Sequence, residues 1–253
     1  SLEEANGRII TGLPTSLARH DMGLATVIGK HDRDANGHSL APIMRSRMQR
    51  LRMWNTRTRG SASANRNLMY AFNELGILKD KLALSNNVVE KAAYIYRKAQ
   101  ARGLVKGRTI SALLAACVYA ACREMQIPRT LRDITTASNI RRKDIARNYR
   151  IILYTFDFKV PIADPMKCIA KVANKANLNE NTKRQAINMM KEVTDGEIPA
   201  GKDPMGIAAT VLYISCLKTG EDRTQNQMAH AAGVTEVTLR NRYKELKIKL
   251  HLN

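Results

Sequence analysis

From residue 65 onward every strong apolar segment repeats at three- and four-residue intervals, the spacing of one helical face. The pattern predicts helices near 65–79, 86–101, 109–125, 130–137 and 141–155. A second run follows near 164–176, 180–194, 204–218, 224–232 and 235–250. An earlier helix is predicted over 42–59, with Pro42 suited to its first turn. There Met44, Met48 and Leu51 share one face, and Arg45, Arg47, Arg50, Arg52, Arg57 and Arg59 crowd the rest. The GSASAN stretch from Gly60 to Asn65 reads as a linker. Residues 1–40 are broken by Gly7, Gly12, Pro14, Gly23, Gly29 and Gly37 and read as irregular, with a charged loop over Lys30–Ser39. Ile9, Ile10, Leu13, Leu17, Leu24, Val27 and Ile28 recur within them, so this segment is expected to dock on something rather than build its own core.

The stretch RTQNQMAHAAGVTEVTLRNRYKELK, from Arg223 to Lys247, organises the rest of the chain. Thr224 and Thr235 stand where their hydroxyls can cap two successive helices. Gly233 lies between them, where the chain needs a positive φ to turn. Two short helices around such a turn have the layout of a helix-turn-helix, whose second helix enters a DNA major groove. Two ordinary packed helices would give the same pattern.

Sliding the chain on itself by 94 positions aligns the two runs of five helices without a gap. Ala115 meets Ala209, Tyr119 meets Tyr213, Cys122 meets Cys216, Arg129-Thr130 meets Arg223-Thr224 and Tyr149 meets Tyr243. The third helix of each run, SALLAACVYAAC and GIAATVLYISC, is apolar on nearly every side and should be the buried centre of its repeat. The first repeat then carries its own helix-turn-helix, RTLRDITTASNIRRKDIARNYRIIL, with Asn139 in the place of Gly233. The expected fold is all-α: two tandem five-helix cyclin-like repeats, over 65–158 and 159–253. Each ends in a helix-turn-helix, behind an irregular segment over 1–40 and a basic linker helix with its linker over 41–64.

Charge narrows the partner. The chain carries 42 Lys+Arg against 22 Asp+Glu, a net +20. Residues 61–157 hold 17 of the bases and 7 of the acids, the largest regional excess. An imbalance of this size favours a polyanion, nucleic acid first. The longest apolar run, 13 residues from Ile110 to Cys122, is too short to span a bilayer. No secretory signal core begins the chain. The four cysteines form no CxxC pair and are expected to be buried free thiols in a reducing compartment. No metal-ligand spacing, nucleophile–base pair or glycine-rich phosphate loop stands out, so no enzyme activity is expected. The start SLEEANG is unlike a natural beginning and suggests that an upstream segment is missing.

The runs GRTISALLAACVYAACREMQIPRTLRDI and GVTEVTLRNRYKEL, with the upstream KHDRDANG and RMQRLRMWNTRTR, resemble the archaeal transcription factor B family, counterpart of the eukaryotic transcription factor II-B. The resemblance covers essentially the whole chain. It implies a general initiation factor that joins promoter DNA already bound by the TATA-binding protein, and recruits and orients RNA polymerase. It also implies a monomer in the cytoplasm of an archaeal-type cell, associated with the nucleoid. Residues 1–40 would enter the polymerase as a reader, and the 42–59 helix would be the linker that assists DNA opening. The family's zinc ribbon has no counterpart here, so no metal or other cofactor is expected in this chain. The resemblance assigns Val237 and Arg240, with Thr235 and Glu236, to base reading upstream of the TATA element. It assigns Gly107, Arg108, Arg142, Lys143 and Arg147 to DNA backbone and downstream contact, and Asp32, Arg33, Asp34, Arg50 and Arg52 to polymerase binding. A cyclin-type protein-interaction module without base reading is the alternative. It shares the fold but has no need of this charge or of two basic helix-turn-helices.

Overall fold

The structure is a computed structural model and describes residues 15–24, 28–34, 36–59, 63–161, 164–195 and 202–249. Among them are eleven α-helices and no strand. They are α1 (Pro42–Arg59), α2 (Ser63–Leu82), α3 (Asn86–Ala101), α4 (Ile110–Glu124), α5 (Leu131–Ser138) and α6 (Arg142–Phe156), then α7 (Pro165–Lys175), α8 (Glu180–Asp195), α9 (Pro204–Thr219), α10 (Gln225–Ala232) and α11 (Glu236–Lys249). Helix α2 begins at Ser63, inside the stretch expected to be linker. Ala64 is a strong helix former. Among the described residues no helix is long and apolar enough to cross a membrane.

The chain forms two compact units, one of Ser1–Ala121 with Asp133–Phe158, the other of Cys122–Arg132 with Lys159–Asn253. In the second unit α9 touches α7, α8, α10 and α11, as an all-round apolar helix must. Met205–Leu212 and Ile214–Cys216 are all buried on it. Asp203 fixes its start, its carboxylate accepting from the Gly206 N–H at 3.3 Å beside Pro204. In α4 of the first repeat, Ala112–Val118 and Ala120–Cys122 are likewise buried.

The 94-residue repeat holds at the level of geometry. Ile134, Ile145 and Ile152 are buried in the first repeat where Met228, Leu239 and Leu246 are buried in the second. Tyr119 and Tyr149 meet edge-to-face at 4.7 Å between ring centroids, and Tyr213 and Tyr243 do so at 5.5 Å. The left-handed corners recur too. Ala83 pairs with Asn177, Gln126 with Gly220 and Asn139 with Gly233, all at φ between 47° and 72°. All four cysteines are buried free thiols. Burial pushes the thiols of Cys168 and Cys216 up to about 11 and that of Cys117 higher still.

Candidate nucleic-acid interface

The turn between α10 and α11 is built by local chemistry. Thr224 and Gln227 form a reciprocal capping box: the Gln227 N–H donates to the Thr224 hydroxyl at 3.2 Å, and the Thr224 N–H donates to the Gln227 side-chain oxygen at 3.1 Å. Gly233 ends α10 at φ 71°, and its N–H donates to the His230 carbonyl at 3.1 Å. The Thr235 hydroxyl then accepts from the Thr238 N–H at 3.3 Å and starts α11. Inward, Leu239 and Leu246 seal α11 to the core. Outward, Val237 is 62% exposed, an unusual place for a valine. Arg240 lies one turn further along, its guanidinium donating to the Glu236 carboxylate at 2.6 Å. Thus Thr235, Glu236, Val237 and Arg240 share one outward surface near the N-terminal end of α11. It offers a hydroxyl, a carboxylate, an apolar group and a forked donor. Glu245 fixes the far end of the helix. It accepts from Arg242 at 2.9 Å and from Lys202, and these hydrogen bonds, Lys202's first, hold its carboxyl below the usual carboxylate range.

The equivalent helix of the first repeat differs in kind. Arg142, Lys143 and Arg147 are exposed on α6, and Arg142 and Lys143 occupy the positions that Glu236 and Val237 hold in α11. Asp144 is the one acid exposed beside them, and a face so dominated by cations suits gripping phosphates, which carries no base information. Gly107 is exposed at φ 72°, a backbone only glycine adopts freely. Arg108 beside it turns back, donating to the Leu104 carbonyl at 2.7 Å, so it braces its own loop. In the second repeat an open groove of about 590 Å³ runs along α10, with Lys175, Arg223 and His230 on its walls.

Upstream, the charged loop expected over Lys30–Ser39 is a tight turn. Asp34 and His38 bond through their main chains at 2.9 Å, Leu40 N–H donates to the Asp32 carbonyl at 3.0 Å, and Arg33 and Ser39 form an isolated antiparallel bridge. The Asp34 carboxylate accepts from the Asn36 and His38 N–H groups at 3.0 and 2.8 Å, as short acidic residues do in turns. Asp32 accepts from Arg52 at 2.7 Å. Of the five residues assigned to polymerase, Asp32, Asp34 and Arg52 are therefore engaged within the chain, and Arg33 and Arg50 are exposed. Residues 1–14 and 25–27 of the reader-like segment, and the Gly201 counterpart of Gly107, lie outside the described residues.

Two residues that the sequence did not single out hold the upstream segment. The Glu90 carboxylate on α3 accepts from the Ser16 hydroxyl and from the Leu17 N–H at 2.8 Å. Arg97, two turns on, donates to the carbonyls of Leu17 at 2.9 Å, of His20 at 3.3 Å, and of Arg19. Arg97 also stacks over the Phe72 ring at 4.9 Å. The available signal was their spacing of seven, which places an acid and a base on one helical face.

The family model described as the transcription factor TFIIB repeat matches residues 64–155 and again 158–249. The chain belongs to this family. Among its relatives, the transcription initiation factor IIB of Ignicoccus hospitalis is 47% identical over 96% of this chain and 77% of its own length. That of Sulfurisphaera tokodaii is 43% identical over 99% and 81%. The transcription initiation factor IIB 1 of Thermococcus kodakarensis is 44% identical over 97% and 80%. The TFIIB repeats thus coincide with the two five-helix sets, and the archaeal resemblance read from the sequence holds.

Proposed function

We propose that this chain is a general transcription initiation factor that joins promoter DNA in the company of the TATA-binding protein. The first repeat grips DNA backbone through Arg142, Lys143 and Arg147. The second reads bases beside the TATA element through Val237 and Arg240, flanked by Thr235 and Glu236. The upstream segment and α1 engage RNA polymerase. In this reading the chain catalyses no reaction, uses no cofactor of its own, and works as a monomer in the nucleoid region of an archaeal cytoplasm.

One observation carries the reading: two related helix-turn-helices in one TFIIB-repeat chain present different chemistries. One exposed face presents three cations with a single acid, Asp144, beside them, and the other mixes an apolar group, a carboxylate and a forked donor. That division suits one half that positions and one that specifies. A cyclin-type interaction module gives no reason for it. The test is a gel shift on a TATA promoter with and without the TATA-binding protein. Tight, sequence-specific binding is expected only with it, and equal specific binding by this chain alone would overturn the proposal.

A further inference from the structure

Arg50 and Arg52 lie on the same arginine-rich helix, and the resemblance gives both the same task. Their surroundings differ. Arg50 is exposed, whereas the Arg52 side chain retains 20% of its exposure and spends its whole fork within the chain. Its Nε donates to the Gly29 carbonyl at 2.8 Å, its Nη1 to Asp32 Oδ1 at 2.7 Å, and its Nη2 to the His31 carbonyl at 3.0 Å. Arg45, seven residues earlier and so on the same face of α1, donates to the Leu40 carbonyl at 2.8 Å. The two arginines grip the two ends of one turn. Between those ends the turn is closed by the Asp32–Leu40 and Asp34–His38 main-chain bonds. Helix α1 contains no acidic residue, so the carboxylate that compensates Arg52 comes from the turn itself.

We infer that Arg52 is a positioning residue. It fastens the turn from Gly29 to Leu40 across α1, so that turn and helix meet the transcription machinery as one preformed piece. Arg33, Arg47 and Arg50 are then among the outward-facing cations, together with Lys30 and Arg57. A planar guanidinium suits the task because its donors diverge in a fixed fork, toward two carbonyls and a carboxylate at once. A lysine could keep the Asp32 pair but not the three-way grip. Prior ordering matters for function because a segment that folds only on binding gives up affinity to pay for its ordering.

The inference rests on the proposed function for its consequence and on the free protein for its geometry, so the experiment reads both. Full-length Arg52→Ala, Arg52→Lys and Arg50→Ala chains are compared with wild type. Amide hydrogen exchange is followed at Asp34 and Leu40 in the free protein. Assembly with the TATA-binding protein on promoter DNA, polymerase recruitment and promoter opening are then measured. Both Arg52 variants should exchange about tenfold faster or more at these amides, the loss expected for charge-assisted hydrogen bonds. They should assemble on DNA normally and open the promoter less well. Arg50→Ala should leave exchange unchanged while weakening the polymerase step. Unchanged exchange in Arg52→Ala together with weaker polymerase binding would overturn the inference and make Arg52 a direct contact. Wild-type exchange in Arg52→Lys would overturn it too, by showing that charge suffices. If the wild type itself fails to recruit polymerase, the proposed function falls, and the exchange measurement still decides the role of Arg52.

Discussion

Replacing Arg240 by alanine separates reading from gripping. The Arg240–Glu236 pair is close, at 2.6 Å, but the two side chains are 54% and 41% exposed. Such a pair one helical turn apart contributes only about 0.3–0.5 kcal/mol, so the variant should fold as the wild type does. A bidentate contact to guanine contributes about 1–3 kcal/mol of discrimination. Its loss should flatten base preference upstream of the TATA element by roughly 5- to 150-fold. If Arg240 instead touches a phosphate, all sequences should weaken alike and the salt dependence should fall by about one contact. The assay is competition binding of promoter variants at two salt concentrations, with the TATA-binding protein present. Arg240→Lys sharpens it, since lysine keeps the charge and loses the fork. Uniform weakening with a shallower salt slope would refute base reading by Arg240.

Three further outcomes are expected. Thr224→Ala removes half of the capping box and should cost about 1 kcal/mol, lowering the melting temperature of the second repeat by roughly 4–8 °C. The folded Glu245 carboxyl titrates below its ordinary value, so its contribution is complete above the unfolded value of 4.5 and is lost as pH falls through the folded one. Glu245→Gln should therefore narrow the difference in melting temperature between neutral and acid solution. Glu90→Ala removes the acceptor for Ser16 and the Leu17 N–H, and tryptic cleavage after Arg19 should speed up by about tenfold, with the rest of the chain unchanged.

Much of the fold was legible because it rests on short-range rules. The apolar period placed α1 and the ten helices after it. The 94-residue repeat exposed the two central helices, and Asn139 turned the chain as Gly233 does. The outward surface of α11 was legible for the same reason, since Val237 and Arg240 are three apart. What escaped was long-range pairing. Glu90 and Arg97 reach back more than 70 residues to Ser16 and Leu17, and their spacing of seven marks a shared helical face but not the segment it holds. The resemblance assigned Arg50 and Arg52 alike to polymerase, as side chains available to a partner. Arg52 is not, because Asp32 lies 20 positions upstream and only the turn brings it near. Arg108, which the resemblance assigned to DNA contact, also donates to the Leu104 carbonyl of its own loop.

The left-handed corners give the two halves unequal reserves. Of the three left-handed corners that recur in both repeats among the described residues, the second repeat meets two with glycine, at Gly220 and Gly233. The first uses Ala83, Gln126 and Asn139, and only asparagine adopts that backbone with some ease. Each other side chain there stores about 1–2 kcal/mol, partly offset because glycine loses more freedom on folding. The half of the chain with the largest charge excess is therefore also the half with unrelieved backbone strain. It is also the half that directed evolution for heat resistance could improve most cheaply, by glycine at 83 or 126, without altering Arg142, Lys143 or Arg147.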